Sequence, residues 1–146
     1  MTEKVAIASD HAGLPLKTVL KEMRSDIEWI DLGTHTPDSV DYPDYASALA
    51  DCIGKGEAKR GVLICGTGIG ISMAANRHKH IRAGVCHDVT TARLTRLDND
   101  ANVMCIGARI IGLNVALDCL EAFLKTDFAG DQPDGERHKN RVGKFS

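Results

Sequence analysis

Short, nearly continuous apolar runs alternate along the chain with longer segments whose apolar residues recur at helical spacing. The runs predict five β-strands, at residues 5–9, 28–31, 62–65, 83–86 and 103–106. The amphipathic segments predict five helices, at residues 15–23, 45–53, 69–76, 90–97 and 115–124. Strands that are apolar at almost every position are typical of parallel strands covered on both faces. The pattern therefore predicts an α/β fold built of right-handed βαβ units, with an open parallel sheet and helices on both of its faces. It does not predict the order of the strands.

The tail at residues 129–146 breaks this pattern. It opens with the turn-rich stretch 130–135 and carries few apolar residues. Its basic residues are Arg137, His138, Lys139, Arg141 and Lys144. Such a segment has to lie on something else: solvent, its own domain or another subunit. We expect residues 1–146 to form a single domain whose tail packs on a partner subunit.

Composition narrows the class of protein. Apolar residues make up 43% and charged residues 26% of the 146 residues, which is typical of a soluble globular domain. The net charge of −2 argues against a nucleic acid or a membrane surface as partner. No apolar stretch approaches the ~20 residues of a membrane span, and residues 1–4 lack signal-peptide organisation. The five cysteines include no C-x-x-C pair, which favours a reducing compartment over disulfides or a zinc site. We therefore expect a cytoplasmic protein.

Polar residues follow several predicted strands at the point where each strand ends. In an open parallel sheet these ends share one edge, and ligands bind there. The segments are Ser9-Asp10-His11, the run from Cys65 to Gly70, Cys86-His87-Asp88 and Gly107-Ala108-Arg109. Their predicted convergence at one edge is the main argument from the residues for an enzyme.

The run from Cys65 to Gly70 is the strongest single motif. Its alternating glycines, Gly66, Gly68 and Gly70, let the backbone approach a ligand and turn amides into one concavity. It is neither a Walker loop nor a dinucleotide fingerprint, because the Lys-Ser/Thr pair and the G-x-G-x-x-G spacing are missing. A tight turn and an anion site both stay open. A thiol at the start of such a loop, before a helix, is suited to act as a base or nucleophile.

Weaker signals surround this motif. Asp10, His11 and Tyr42, each taken alone, fit local structural roles. Arg137 and Arg141 are four residues apart, so on a helix they share one face and suit a phosphate. A solvated basic tail explains the same residues.

Several motifs nevertheless occur in order along nearly the whole chain. They are Ala8-Ser9-Asp10-His11-Ala12-Gly13, Asp31-Leu32-Gly33-Thr34, Asp41-Tyr42-Pro43, the run from Cys65 to Ser72, Asn99-Asp100-Ala101-Asn102-Val103, Gly107-Ala108-Arg109, and Arg137-His138 with Arg141. In this order they resemble ribose-5-phosphate isomerase type B, in the family that includes galactose-6-phosphate isomerase. The resemblance implies a Rossmann-like three-layer sandwich with a five-stranded parallel sheet and a C-terminal basic tail helix. It also implies a homodimer, often a dimer of dimers, with active sites shared between subunits and neither a metal nor an organic cofactor.

The resemblance also implies a role for each matching residue. Ribose 5-phosphate and ribulose 5-phosphate would interconvert through an enediolate, with Cys65 moving the proton between C1 and C2. Thr67 would assist at the sugar hydroxyls. The enediolate oxygen would be held by the loop amides of Gly66, Gly68 and Gly70, together with Asn99. The open-chain sugar would be contacted by Asp10 and Tyr42. The phosphate would be bound by His11 and Arg109 and, across the dimer, by Arg137, His138 and Arg141.

One residue departs from the family pattern. Ribose-phosphate members usually carry a histidine at the position of Asp98, and that histidine is credited with opening the sugar ring. An aspartate is ordinarily ionised, and a poor acid, near neutral pH. Three explanations stay open: Asp98 opens the ring in a protonated form, another group such as His87 does so, or the substrate is not a furanose. The alternatives are thus the same chemistry on a tetrose or hexose phosphate and, more distantly, a non-catalytic module that binds a phosphate ligand.

Overall fold

Five parallel strands form one sheet in the computed structural model, which describes residues 3–145. The strands are β1 (Lys4–Ser9), β2 (Glu28–Asp31), β3 (Arg60–Cys65), β4 (Ala83–Val85) and β5 (Val103–Gly107). The helices are α1 (Leu14–Met23), α2 (Tyr42–Gly54), α3 (Ile69–Ala75), α4 (Val89–Leu97), α5 (Leu113–Lys125) and α6 (Glu136–Val142), with a 3₁₀ turn at Ala129–Asp131. The predicted three-layer α/β fold with a five-stranded parallel sheet is confirmed.

The two faces of the sheet bury separate apolar layers. Residues of α1, α4 and α5, among them Leu20 and Phe123, pack on the face that carries Met104. Residues of α2 and α3, among them Leu49, pack on the face that carries Leu63. Because side chains alternate between the faces of a strand, strands buried on both sides must be apolar at nearly every position, as the sequence shows.

The strand order, β2-β1-β3-β5-β4, places a topological switch between β1 and β3. From β1 the chain crosses to β2 on one side, then returns to β3 on the other. The ladders pair Ser9 with Ile64 and Cys65 with Gly107, so the carboxyl ends of β1, β3 and β5 finish nearly level. Helices leave in opposite directions at such a point and open a crevice between them.

A buried ion pair ties α1 to the end of β2. The side chain of Lys17 is 1% exposed, and its Nζ donates to Asp31 Oδ1 at 2.7 Å and to the Thr34 carbonyl at 2.6 Å. The Nζ of Lys21 donates to the other oxygen of Asp31 at 2.9 Å. The pair therefore fixes the loop that follows β2, because its main chain is one of the acceptors.

The surroundings shift both titrations. Burial lowers the pKa of Lys17, and the hydrogen bond to Asp31 only partly offsets that effect. Burial alone would raise the pKa of Asp31, but hydrogen bonds from Lys17, Lys21 and the Gly33 amide outweigh it and lower that pKa. A carboxylate with a lowered folded-state pKa stabilises the fold above its unfolded pKa and loses that contribution as the pH falls through its folded pKa.

The tail leaves α5 at the amino edge of the sheet. α5 ends at Lys125, and α6 follows the 3₁₀ turn with no fully buried residue of its own. The Nε of Arg96 donates to the Thr126 carbonyl at 3.1 Å and so holds the start of the tail against α4. No helix within residues 3–145 is long and apolar enough to cross a membrane.

We expect Asp31→Asn to lower the free energy of unfolding at pH 7 by about 2–4 kcal/mol, because the change leaves the buried Lys17 ammonium without its carboxylate. The difference from the wild type should shrink as the pH falls through the acidic range. Urea unfolding at several pH values measures both effects. Glu121→Gln is the matched control, because Glu121 pairs with Arg24 and Lys125 at the surface and its loss should cost less than about 1 kcal/mol. An equal loss in both variants would contradict the role given to the buried pair.

Candidate active site

A cleft of about 310 Å³ opens at the topological switch, where β1, β3 and β5 end. Its lining residues are Asp10, His11, Ala12, Tyr42, Cys65, Gly66, Thr67, Gly70 and Arg109. All except Ala12 were predicted as site residues from the sequence. The sheet brings them together because each follows the end of a strand, apart from Tyr42, which begins α2.

Cys65 is the last residue of β3, and its sulfur faces the loop that follows. The Gly68 amide donates to Sγ at 3.2 Å. Gly68 has φ of 78°, a left-handed conformation that glycine adopts without strain, and this conformation turns the chain back over the sulfur. An amide dipole pointing at the sulfur favours negative charge there. Gly68 itself is buried and holds the thiol without lining the cleft.

Thr67 caps the same turn. Its Oγ1 accepts a hydrogen bond from the Ile69 amide at 3.1 Å, which leaves the hydroxyl hydrogen for a ligand. The carbonyl of Thr67 lies 3.1 Å from Nε2 of His87, and since a carbonyl only accepts, the imidazole donates. His87 follows β4 at the same edge of the sheet, and the sequence suggested it only as an alternative ring-opening group.

Two glycines make room for the side chains that cover the loop. A Cβ added at Gly70 would lie 2.8 Å from the Tyr42 hydroxyl, and one added at Gly66 would lie 3.3 Å from Cζ of Arg109. Only glycine lets Tyr42 approach α3 this closely. A phenol and a guanidinium therefore lie close to the same short loop.

Asp10 and His11 form the wall that follows β1. Asp10 is 6% exposed, and its Oδ1 accepts a hydrogen bond from the Gly13 amide at 3.1 Å, as in a local cap. The residue also lines the cleft, so the structural role and the site role coexist. Nδ1 of His11 accepts a hydrogen bond from the Val40 amide at 3.1 Å. Val40 had no sequence signal, because it acts through its main chain.

The remaining predicted residues do not line this cleft. α4 runs back from the carboxyl edge of the sheet, so Asp98 and Asn99 lie at the amino edge. Nε2 of His138, on α6, lies 3.9 Å from Oδ1 of Asp98. Arg137 and Arg141, on the same helix, are exposed. Asp98 and His138 of the basic tail thus lie together at the amino edge of the sheet, whereas Cys65 lies at the carboxyl edge.

Asn99 lines a second, larger cavity of about 510 Å³, together with Arg82, Val142 and Phe145. Some of its polar groups serve the fold. Arg82 donates through Nε to the Asp100 carbonyl at 2.7 Å and pairs with the Asp100 carboxylate at 3.4 Å. No thiol lines this cavity, so we take the smaller cleft, which contains Cys65, as the candidate active site.

Cys65 is the one cysteine among the residues that line this cleft. Burial, with smaller contributions from neighbouring groups, raises the pKa of Cys86 to about 12 and that of Cys119 to about 11. Burial raises the pKa of Cys52 and Cys105 as well. Within residues 3–145, no three His, Cys, Asp or Glu side chains are arranged to hold a metal ion. The side chains that line the cleft offer one thiol, one carboxylate, one imidazole, hydroxyls and one guanidinium.

Comparison with known proteins places this chain in a family. A sequence profile of the ribose/galactose isomerase family matches residues 5–145. Ribose-5-phosphate isomerase B of Escherichia coli is 43% identical over 142 residues, which cover 96% of this chain and 92% of that one. The solved ribose 5-phosphate isomerase of Thermotoga maritima matches with a TM-score of 0.92 at 44% identity, over 99% of this chain and 98% of that one. The ribose-5-phosphate isomerase B of Clostridium thermocellum matches with a TM-score of 0.90 at 45% identity, over 97% and 93%.

We expect a limiting amount of iodoacetamide to alkylate Cys65 before any other cysteine near neutral pH, because Cys65 lines the cleft, whereas the other thiols line neither of the two cavities described above and have raised pKa values. Peptide mass spectrometry after short exposure measures the order of labelling, and Cys65→Ser should remove the fast phase. Cys52→Ser is the matched control, since Cys52 is also almost fully buried, at 3% exposed against 4% for Cys65. Fast labelling that survives in Cys65→Ser would show that another thiol is the reactive one.

Proposed function

The chain is a sugar-phosphate isomerase of the ribose/galactose isomerase family, and from this premise we propose that it interconverts ribose 5-phosphate and ribulose 5-phosphate through an enediolate. The observation that carries the proposal is the placement of one thiol, Cys65, in a cleft with the acid-base and donor groups that this chemistry needs. In a family of isomerases, there is no reason to retain the alternative of a non-catalytic phosphate-binding module.

Cys65 is the proposed base. As a thiolate it would take the proton from C2 of the open-chain aldose, and the electron pair would move onto the C1 oxygen to give the enediolate. The same sulfur would return the proton to C1, while the proton of the C2 hydroxyl passes to the C1 oxygen. The aldose and the ketose contain the same atoms. A single base that moves one proton between the adjacent carbons C2 and C1 is therefore sufficient for the carbon-bound proton transfer.

The enediolate oxygen would be stabilised by the glycine loop at 66–70. Two amides of this loop region are already used: Gly68 donates to Sγ of Cys65, and Ile69 donates to Oγ1 of Thr67. Within residues 3–145 the amides of Gly66, Thr67 and Gly70 make no such internal bond, which leaves them for a ligand. One well-placed oxyanion donor typically raises the rate by a factor of ~10²–10³. The hydroxyl hydrogen of Thr67 would serve a sugar hydroxyl, and Asp10 and Tyr42 would hold the open chain.

The phosphate would be held by Arg109 and His11, which both line the cleft. The further grip proposed for Arg137, His138 and Arg141 requires a second copy of the chain, because these residues lie away from the cleft of their own chain. Asp98 and Asn99 share that location, so they too would act in the partner's cleft. We therefore propose a homodimer with two composite sites, or a pair of such dimers, in which each copy supplies Cys65 to one site and its tail to the other.

A second candidate keeps the chemistry and changes the sugar. Asp98 stands where ribose-phosphate members usually carry the ring-opening histidine, and a tetrose phosphate needs no ring opened. A hexose phosphate remains a further variant of the same idea. Nε2 of His138 lies 3.9 Å from Oδ1 of Asp98, so a histidine is still present beside this position, which favours the furanose substrate.

The first experiment is the rate of ketose formation from ribose 5-phosphate, a tetrose phosphate and allose 6-phosphate. We expect ribose 5-phosphate to be preferred and Cys65→Ala to lower kcat by ~10²–10⁴, the usual contribution of a positioned base. Cys52→Ala, which removes a thiol far from the cleft, is the control for general damage. Preference for the tetrose phosphate would keep the mechanism and change the substrate. Full turnover by Cys65→Ala would reject Cys65 as the base.

Mixing two inactive variants tests the composite site. Cys65→Ala and Arg137→Ala homodimers should each be impaired, whereas exchange of subunits should restore about one quarter of the wild-type sites by random pairing. A restored site combines the Cys65 cleft of one chain with the intact tail of the other. Cys65→Ala mixed with Asp10→Ala is the matched control, because both changes damage the same cleft and no pairing repairs it. No recovery in the first mixture, after subunit exchange has been verified, would count against shared sites.

A further inference from the structure

The two ring nitrogens of His11 have different surroundings. Nδ1 lies 3.1 Å from the main-chain nitrogen of Val40. A main-chain N–H can only donate, so Nδ1 has to be the unprotonated nitrogen, and in a neutral imidazole the proton is then on Nε2. Nε2 makes no hydrogen bond with any group in the described part of the chain, and the ring lines the cleft. The N–H of Nε2 is therefore the one that a ligand meets.

Val40 is held in place from both ends of its loop. On the β2 side, the Ser9 amide donates to the Gly33 carbonyl at 2.7 Å and the Thr34 amide donates to the Ser9 carbonyl at 2.8 Å. The buried Nζ of Lys17 binds the Thr34 carbonyl as well. On the other side, α2 begins at Tyr42, two residues after Val40. Both ends of the loop that carries the Val40 amide are thus fixed to the fold.

We propose that His11 acts as a neutral hydrogen-bond donor through Nε2, and that the main-chain amide of Val40 is the positioning group that fixes this tautomer. A second proton on Nδ1 would break the bond to Val40 and leave two partly buried N–H donors facing each other. His11 would then orient the ligand oxygen through a hydrogen bond without adding a positive charge, whether that oxygen belongs to a phosphate or to a sugar. Arg109 would be the only cation among the residues that line the cleft.

The tautomer is measured directly by ¹⁵N NMR of histidine-labelled protein near neutral pH, with His11 assigned by its absence in a variant. We expect the pattern of a ring protonated at Nε2 only. Val40→Pro removes the N–H and should give a mixture of tautomers, whereas Val40→Ala truncates the same side chain and should keep the single tautomer. A wild-type ring protonated at Nδ1, or at both nitrogens, would overturn the proposal. This part of the test holds whatever reaction the chain catalyses.

A pair of His11 variants separates the donor role from a merely structural one, and this part rests on the proposed function. The amide nitrogen of a glutamine reaches roughly the place of Nε2, so His11→Gln keeps the donor and loses the partner of Val40. His11→Asn keeps an acceptor for Val40 and loses the donor. We expect the KM for ribose 5-phosphate to rise about 10- to 100-fold more in His11→Asn, the usual worth of a hydrogen bond to a charged group, with kcat changed less. If His11→Asn is the better enzyme, His11 only supports the loop and the proposal fails.

Discussion

The level ends of β1, β3 and β5 are the constraint on which the cleft depends. The pairing of Ser9 with Ile64 and of Cys65 with Gly107 fixes how far each strand extends before its chain turns. A shift by one residue would reverse the face of every side chain in the strand, and both faces are buried, so the register is strongly specified. Asp10, Cys65 and Arg109 thus meet because the apolar layers on both sides permit one alignment of the strands.

Beyond that alignment, the cleft is organised by the limited number of main-chain donors in one short loop. Each N–H makes one good hydrogen bond, so an amide that holds Sγ of Cys65 cannot also hold an oxyanion. Gly68 and Ile69 fix the thiol and the Thr67 hydroxyl, and their neighbours remain for the ligand. The loop therefore orients its reactive side chains and still leaves donors for a ligand. Val40 follows the same logic on the opposite wall, where a main-chain donor sets the orientation of an imidazole.

Much of this fold could be predicted from the sequence, because burial on both faces leaves a strong apolar signal. The predicted strand at 28–31 agrees with β2, and most other boundaries differ by one or two residues. α2 begins earlier than predicted, at Tyr42, because Pro43 fits the first turn of a helix. Strand order, the burial of Lys17 and the contact of Val40 with His11 could not be predicted, since each depends on distant segments that meet only in the folded chain. For the same reason the sequence suggested site roles for Asp98, Asn99 and the tail without showing that they lie apart from the cleft.

The charges in the cleft indicate why the basic tail, which lies apart from the cleft of its own chain, would be needed in the cleft of a second copy. A sugar phosphate carries nearly two negative charges near neutral pH. Among the residues that line the cleft, the Arg109 guanidinium is balanced by the Asp10 carboxylate, so one chain alone offers the phosphate no net positive charge. Arg137 and Arg141 on the exposed α6 would supply the missing charge if a second copy brought them to the cleft. In such a composite site the phosphate would contact both chains at once. Substrate binding and association of the two chains would then be thermodynamically linked, because a ligand that bridges them stabilises the assembly as it binds.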